Sequence, residues 1–130
     1  MRRPLITMLI LASLGGCAVA PQGPVEQPPP IDPPATCTSA PQCDAMWTEA
    51  LIQVQQLSGM RIQLATDTFA QTYRANRSGR LTATIKRVPR PQGGTSFDAE
   101  FSCVRCGTLP YKAANLFSAN LKAVGERYAK

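Results

Sequence analysis

Histidine is absent from the 130 residues. That removes the side chain most used for acid–base chemistry near neutral pH and a common ligand of structural zinc. No Gly-x-Ser-x-Gly elbow is present to carry a hydrolase nucleophile. Gly93-Gly94 is too short to cradle a phosphate and reads as a turn. Acids are scarce, eight against fourteen Lys and Arg, for a net charge of +6. Asp98 and Glu100 stand two apart, which puts both on one strand face, but a hydrated face opposite an apolar one predicts the same residues. The longest apolar run, Leu5–Leu14, falls far short of the ~20 residues a spanning helix needs. These gaps point away from an enzyme and imply no cofactor and no metal.

What the chain does have begins at its first residues. Arg2 and Arg3 are followed by the apolar run and then by Gly15-Gly16-Cys17. A positive start, a short apolar stretch and small residues at the cut site describe a secretory signal over residues 1–16. The paired arginines do not extend into a twin-arginine pattern, because Pro4 follows at once. The ending Leu14-Gly15-Gly16-Cys17 resembles the lipobox of bacterial lipoproteins. The resemblance implies that the Cys17 thiol is diacylated, that the preceding peptide is removed, and that the new amino terminus is acylated. It further implies the outer membrane, with the domain facing the periplasm, since Ala18 stands where the inner-membrane retention signal has aspartate. Two or three acyl chains make a firm anchor at ~0.8 kcal/mol per buried methylene.

Residues 17–36 then read as a lipidated start and a linker. Seven of the eighteen residues from Ala18 to Ala35 are proline. Such a segment buries too little to fold alone. As polyproline II, at ~3.1 Å per residue, it would hold a domain up to roughly 55 Å from the lipid. Pro-x-x-Pro spacings occur (Pro21 to Pro24, Pro30 to Pro33), but a stiff spacer is the preferred reading.

Residues 37–130 form one small domain, whose modest core calls for staples. Its four cysteines, Cys37, Cys43, Cys103 and Cys106, read as two disulfides in an exported chain. Proximity favours Cys37 with Cys43 and Cys103 with Cys106, and crossed bridges closing longer loops stay open. A capping box at Ser39–Gln42 opens a helix with Cys43, Trp47, Leu51, Val54 and Leu57 on one stripe, ended by Gly59. Ile62 and Leu64 alternate, the phase slips at Thr66-Asp67 through a bulge or a turn, and Phe69, Gln71 and Tyr73 resume. Leu81, Ala83 and Ile85 make one strand face, and Phe97, Ala99, Phe101 and Cys103 another. A second helix starts near Thr108 with Ala113, Leu116, Phe117, Leu121, Val124 and Tyr128 on its apolar side. The fold class is α+β, in the order α-β-β-β-α, with a three- to four-stranded antiparallel sheet and both helices on one face.

Two features of this domain bear on function. Cys103-Val104-Arg105-Cys106 has the Cys-x-x-Cys spacing of thiol oxidoreductases, where helix dipoles and a cation lower a thiol's pKa. Here Gly107 to Pro110 intervene before the helix body and no βαβ unit precedes, so a structural bridge is preferred. The other feature is charge. Arg74, Arg77, Arg80, Lys86, Arg87 and Arg90 fall in seventeen residues without an acid and suggest one anion-binding rim. No nucleic-acid recognition motif accompanies them. For an acylated protein the fitting partners are anionic envelope polymers, anionic lipid headgroups or a protein.

Cys37-Thr38-Ser39, Gln42 to Trp47, Gly59 and Thr72-Tyr73 together resemble a group of small exported proteins and lipoproteins of Gram-negative bacteria, across most of residues 37–125. That resemblance brings no activity and no catalytic residues. The expectation is therefore a non-enzymatic outer-membrane lipoprotein that binds an envelope component or a protein partner. Its rivals are a periplasmic thiol-disulfide protein using Cys103 and Cys106, and an accessory lipoprotein of a secretion or conjugation assembly.

Overall fold

A polar cap opens the first helix. Ser39 adopts an extended backbone and its hydroxyl accepts from the Gln42 amide at 3.4 Å, with a proline in the first turn where no intrahelical donor is lost. The Gln42 carboxamide reaches back one residue further than a capping box requires. Its oxygen accepts from the Thr38 amide at 2.8 Å, while its nitrogen donates to the Gly125 carbonyl on the second helix at 2.9 Å. Helix α1 (Ala40–Ser58) ends at Gly59 in the left-handed conformation. Helix α2 (Leu109–Tyr128) runs antiparallel to it, and Gly125 lets Met46 approach within about a methyl group's width.

The computed structural model describes residues 23–129, so the signal segment, Cys17 and the first part of the linker lie outside the described residues. Five strands form one antiparallel sheet: β1 (Ala35–Cys37), β2 (Ile62–Ala65), β3 (Phe69–Thr72), β4 (Thr82–Pro89) and β5 (Thr95–Ser102), in spatial order β1-β5-β4-β3-β2. Both helices pack on one face of it, as expected for the α+β class. Among the described residues the strand count is five, above the three to four expected. The phase slip at Asp67 is a tight turn between β2 and β3, closed by the Thr66 amide donating to the Phe69 carbonyl at 2.7 Å, and a separate irregularity falls between Ile62 and Leu64. The added strand β1 is three residues long, too short to show alternation, and it follows two prolines that argue against a strand. Ala35 is fully buried and pairs with Phe97, so the packed structure begins two residues ahead of Cys37.

The core confirms most of the apolar reading. Leu81, Ala83, Ile85, Phe97, Phe101, Phe117, Leu121 and Val124 are buried, and Trp47 packs face to face with Phe97 at 6.5 Å. Some expected core positions turn outward. On β3 the buried residues are Ala70 and Thr72, so Phe69 and Gln71 lie half-buried on the outer face and Tyr73 is exposed. Thr72 explains the inversion: its hydroxyl accepts from the Ala83 amide at 2.9 Å, continuing the β3–β4 ladder with a side chain. On the helices, Met46, Ala50 and Gly125 line the contact, leaving Leu116 and Tyr128 in solvent. Small residues at that crossing bring the two helices close, and the stripe rotates toward them.

The turn between β4 and β5 carries two glycines with positive φ, Gly93 at 94° and Gly94 at 79°. A Cβ on Gly94 would collide with the Cys37 carbonyl of β1, whereas one on Gly93 meets open space. Gly93→Ala should therefore cost about 1 kcal/mol from backbone strain alone, and Gly94→Ala about 3 kcal/mol or more. Urea unfolding midpoints of the two variants check the difference; equal losses would mean that β1 does not seat against this turn.

Candidate functional site

From Glu26 onward the proline-rich segment is laid along α2 instead of standing free. Proline has no N–H to offer, so its carbonyls act only as acceptors. Asn115 of α2 donates to the Pro30 carbonyl at 2.8 Å and accepts from the Asp32 amide at 2.8 Å. Ser118, one turn on, donates to the Pro33 carbonyl at 2.7 Å. At the start of the strap Glu26 accepts from the Thr108 hydroxyl and pairs with Lys112, at 3.1 and 3.2 Å. These bonds to Lys112 and Thr108 lower the Glu26 pKa from its ordinary 4.5. Between the strap, β5 and the start of α2 lies a groove of about 450 Å³, lined by Ile31, Phe101, Pro110 and Tyr111 among others. Among the described residues the β5 edge past Phe97 has no strand partner on this side, because β1 pairs only with Thr95, Ser96 and Phe97.

The cysteines close into the two short-range pairs. Cys37–Cys43 spans Cα atoms 5.2 Å apart and ties β1 to α1, and Cys103–Cys106 spans 6.0 Å at the corner between β5 and α2. The second bridge is outside the helix. Cys106 stands two residues before the Thr108 cap position, and its carbonyl accepts from the Leu109 amide at 3.1 Å. The sulfurs thus lack the place in the first helical turn from which amide dipoles activate a thiol. Arg105, inside the loop, has a left-handed backbone with φ 62°.

The six residues of the expected rim separate into two groups at opposite ends of the eight-residue strand β4, about 25 Å apart. Lys86, Arg87 and Arg90 are at the end where β4 turns toward β5. Arg87 is occupied: it pairs with Asp44 at 3.2 Å, donates to the Asp67 carbonyl and lies over the Trp47 ring at 5.7 Å. Arg74, Arg77 and Arg80 are at the other end, where β4 begins. There Arg80 donates to the Gly59 carbonyl, placing a cation at the negative end of α1. Two more arginines join them that the sequence pattern did not single out. Arg105 shares a surface pocket of about 360 Å³ with Arg77 and Arg80, and no acid lines it. Arg61, whose carbonyl accepts from the Tyr73 amide, brings a further guanidinium to the same end. Both lie far from the Arg74–Arg90 run, and only the strand pairing unites them with it.

No protein-family model matches the chain, and no curated protein or solved structure matches it either.

The strap should loosen by two routes. Replacing Asn115 and Ser118 together by Ala removes three hydrogen bonds, worth about 1 kcal/mol each, and should speed amide exchange at Asp32 without shifting that of β4. Acid should release the Glu26 end. Its folded pKa is below the unfolded value, so the attachment is complete above about pH 4.5 and is lost as pH falls through the lowered value. Protection of the Val25, Glu26 and Gln27 amides between pH 6 and 3, taken relative to the intrinsic exchange rate at each pH, reads this; protection that does not change with pH would mean that Glu26 does not hold the strap.

Proposed function

We propose that this chain is an outer-membrane lipoprotein, acylated at Cys17, whose domain is a non-enzymatic binding module facing the periplasm. The observation that carries the reading is the pairing of the other four cysteines. Both bridges are local, and they leave Cys17, the fifth cysteine of the sequence, for the acyl chains that Leu14-Gly15-Gly16-Cys17 implies. An oxidising compartment is where two such bridges persist, which agrees with export.

Binding is supported by the shape of the domain. The groove beside the strap and the unpartnered edge of β5 beyond Phe97 offer apolar side chains next to backbone hydrogen-bonding groups. That combination accepts an extended peptide of a protein partner. The thiol-disulfide alternative gains nothing from the position of Cys106 ahead of the helix, and the accessory role in a larger assembly is one way of using the same edge.

Mass spectrometry of the protein purified from membranes tests the reading. The expected product begins at Cys17, carries two or three acyl chains, and is four hydrogens lighter than the fully reduced domain. Cys17→Ala should move the protein from the membrane to the soluble fraction. A mature chain with an unmodified Cys17 would overturn the lipoprotein assignment.

A further inference from the structure

The strap joins the domain at one particular end. Glu26 is held by Thr108 and Lys112 at the start of α2, beside the Cys103–Cys106 corner. At the same end of the sheet β4 begins, β5 finishes and α1 terminates: Thr82 pairs with Ser102, and the Leu81 amide donates to the Ser58 carbonyl at 2.9 Å. Three chain segments meet there, residues 58–62, 73–82 and 102–112. They contribute Arg61, Arg74, Arg77, Arg80, Arg105 and Lys112 and contain no acid. Glu26 is the acid the strap brings to this end, where Lys112 takes it up, and the nearest acid of β5 is Glu100, which lines the groove beside Cys103 and Tyr111 and not the pocket shared by Arg77, Arg80 and Arg105. The opposite end is balanced, with Lys86, Arg87, Arg90 and Arg127 set against Asp44, Asp67, Asp98 and Glu126.

From this arrangement we infer that the arginine end, centred on Arg77 and Arg105, is a docking surface for the anionic phospholipid headgroups of the leaflet that holds the acyl chains. The inference rests on acylation at Cys17. Eight residues lie between Cys17 and Glu26, so nine peptide steps span at most about 30 Å of chain. The arginine end is where that short tether attaches, and the balanced end is about 25 Å farther along β4. Charge acts over a Debye length of ~8 Å, and a tether of this length lets the domain bring its ends within that range, where the uncompensated cations of the arginine end are attracted and the balanced end is not. Arg105 adds an independent sign. A left-handed φ of 62° disfavours any residue but Gly or Asn, yet the turn carries an exposed arginine at that position, where its backbone is strained.

The test uses the mature chain from residue 17 with Cys17→Ser, so that no acyl chain contributes, and vesicles of phosphatidylcholine with or without phosphatidylglycerol. Binding should require phosphatidylglycerol and weaken with salt. Arg77→Gln with Arg105→Asn should reduce it about tenfold or more, whereas Lys86→Gln with Arg90→Gln should change it less than twofold. Arg105→Asn alone should be at least as stable as the parent in urea, which separates lost binding from lost folding. Equal losses from the two double variants, or equal binding to both vesicle types, would overturn the inference. The mass of the purified lipoprotein reports on acylation separately, so a failure of the anchor and a failure of the arginine surface are read in different measurements.

Discussion

The seam that stitches residues 26–37 between α2 and β5 governs how the rest of this protein is presented. Each bond in it answers a constraint set by proline. A segment that offers carbonyls and few amides cannot extend a sheet, but it can be held by side chains that donate. Asn115 and Ser118 do so from successive turns of α2, and Asn115 also accepts from the amide of Asp32, one of the two non-proline residues between Pro30 and Pro33. Once the prolines end, backbone pairing takes over, and Ala35 enters the sheet fully buried opposite Phe97. The Cys37–Cys43 bridge and the close approach of Gly94 to the Cys37 carbonyl then fix the last residue of β1. A stretch that would be free in isolation thereby becomes part of the domain surface.

This seam also gives the domain a direction. Two antiparallel helices and an antiparallel sheet have no polarity of their own, because each end carries starts and finishes of elements alike. The charges supply one. At the Arg87 end the guanidinium is half-buried against Trp47 and met by Asp44, so little of its field reaches solvent. At the Arg77 end the cations are exposed and no acid lies within the three segments that form it. Net charge alone, +6 for the whole chain, does not show this separation.

Much of the fold was legible because it rests on strong periodic signals. Ser39, Pro41 and Gly59 mark the bounds of α1, and the alternations on β4 and β5 predict the faces that are buried. What escaped the sequence were features decided by packing across long separations. Ala70 and Thr72 outrank the larger Phe69 on β3, and Tyr73 just beyond it, because Thr72 completes a ladder with Ala83, a partner eleven residues away. The strand β1 exists because β5 offers it an edge, not because three residues have a preference of their own. The arginine group was half visible: Arg74, Arg77 and Arg80 are close in sequence, while Arg61 and Arg105 arrive only through the pairing of β2 with β3 and of β4 with β5. The run Arg74–Arg90 looked like one rim because a linear reading has no way to see that an eight-residue strand carries its two halves to opposite ends.

The docked strap and the split rim bear on each other. A free eighteen-residue spacer would let the domain turn either end to the membrane, and a single continuous rim would give it no reason to prefer one. With the strap bound along α2, the distance from Cys17 to the domain is set by nine residues and not eighteen, and the attachment point coincides with the uncompensated charge. On the proposed acylation of Cys17, the attraction of the arginine end would add to the tether in narrowing the orientations of the domain. The groove beside Ile31 and Tyr111 opens along the strap, on the flank of the molecule. With the arginine end docked as inferred, a partner reaching that groove would approach parallel to the membrane, and the Trp47–Arg87–Asp44 cluster, whose charges are already paired, would face away from it.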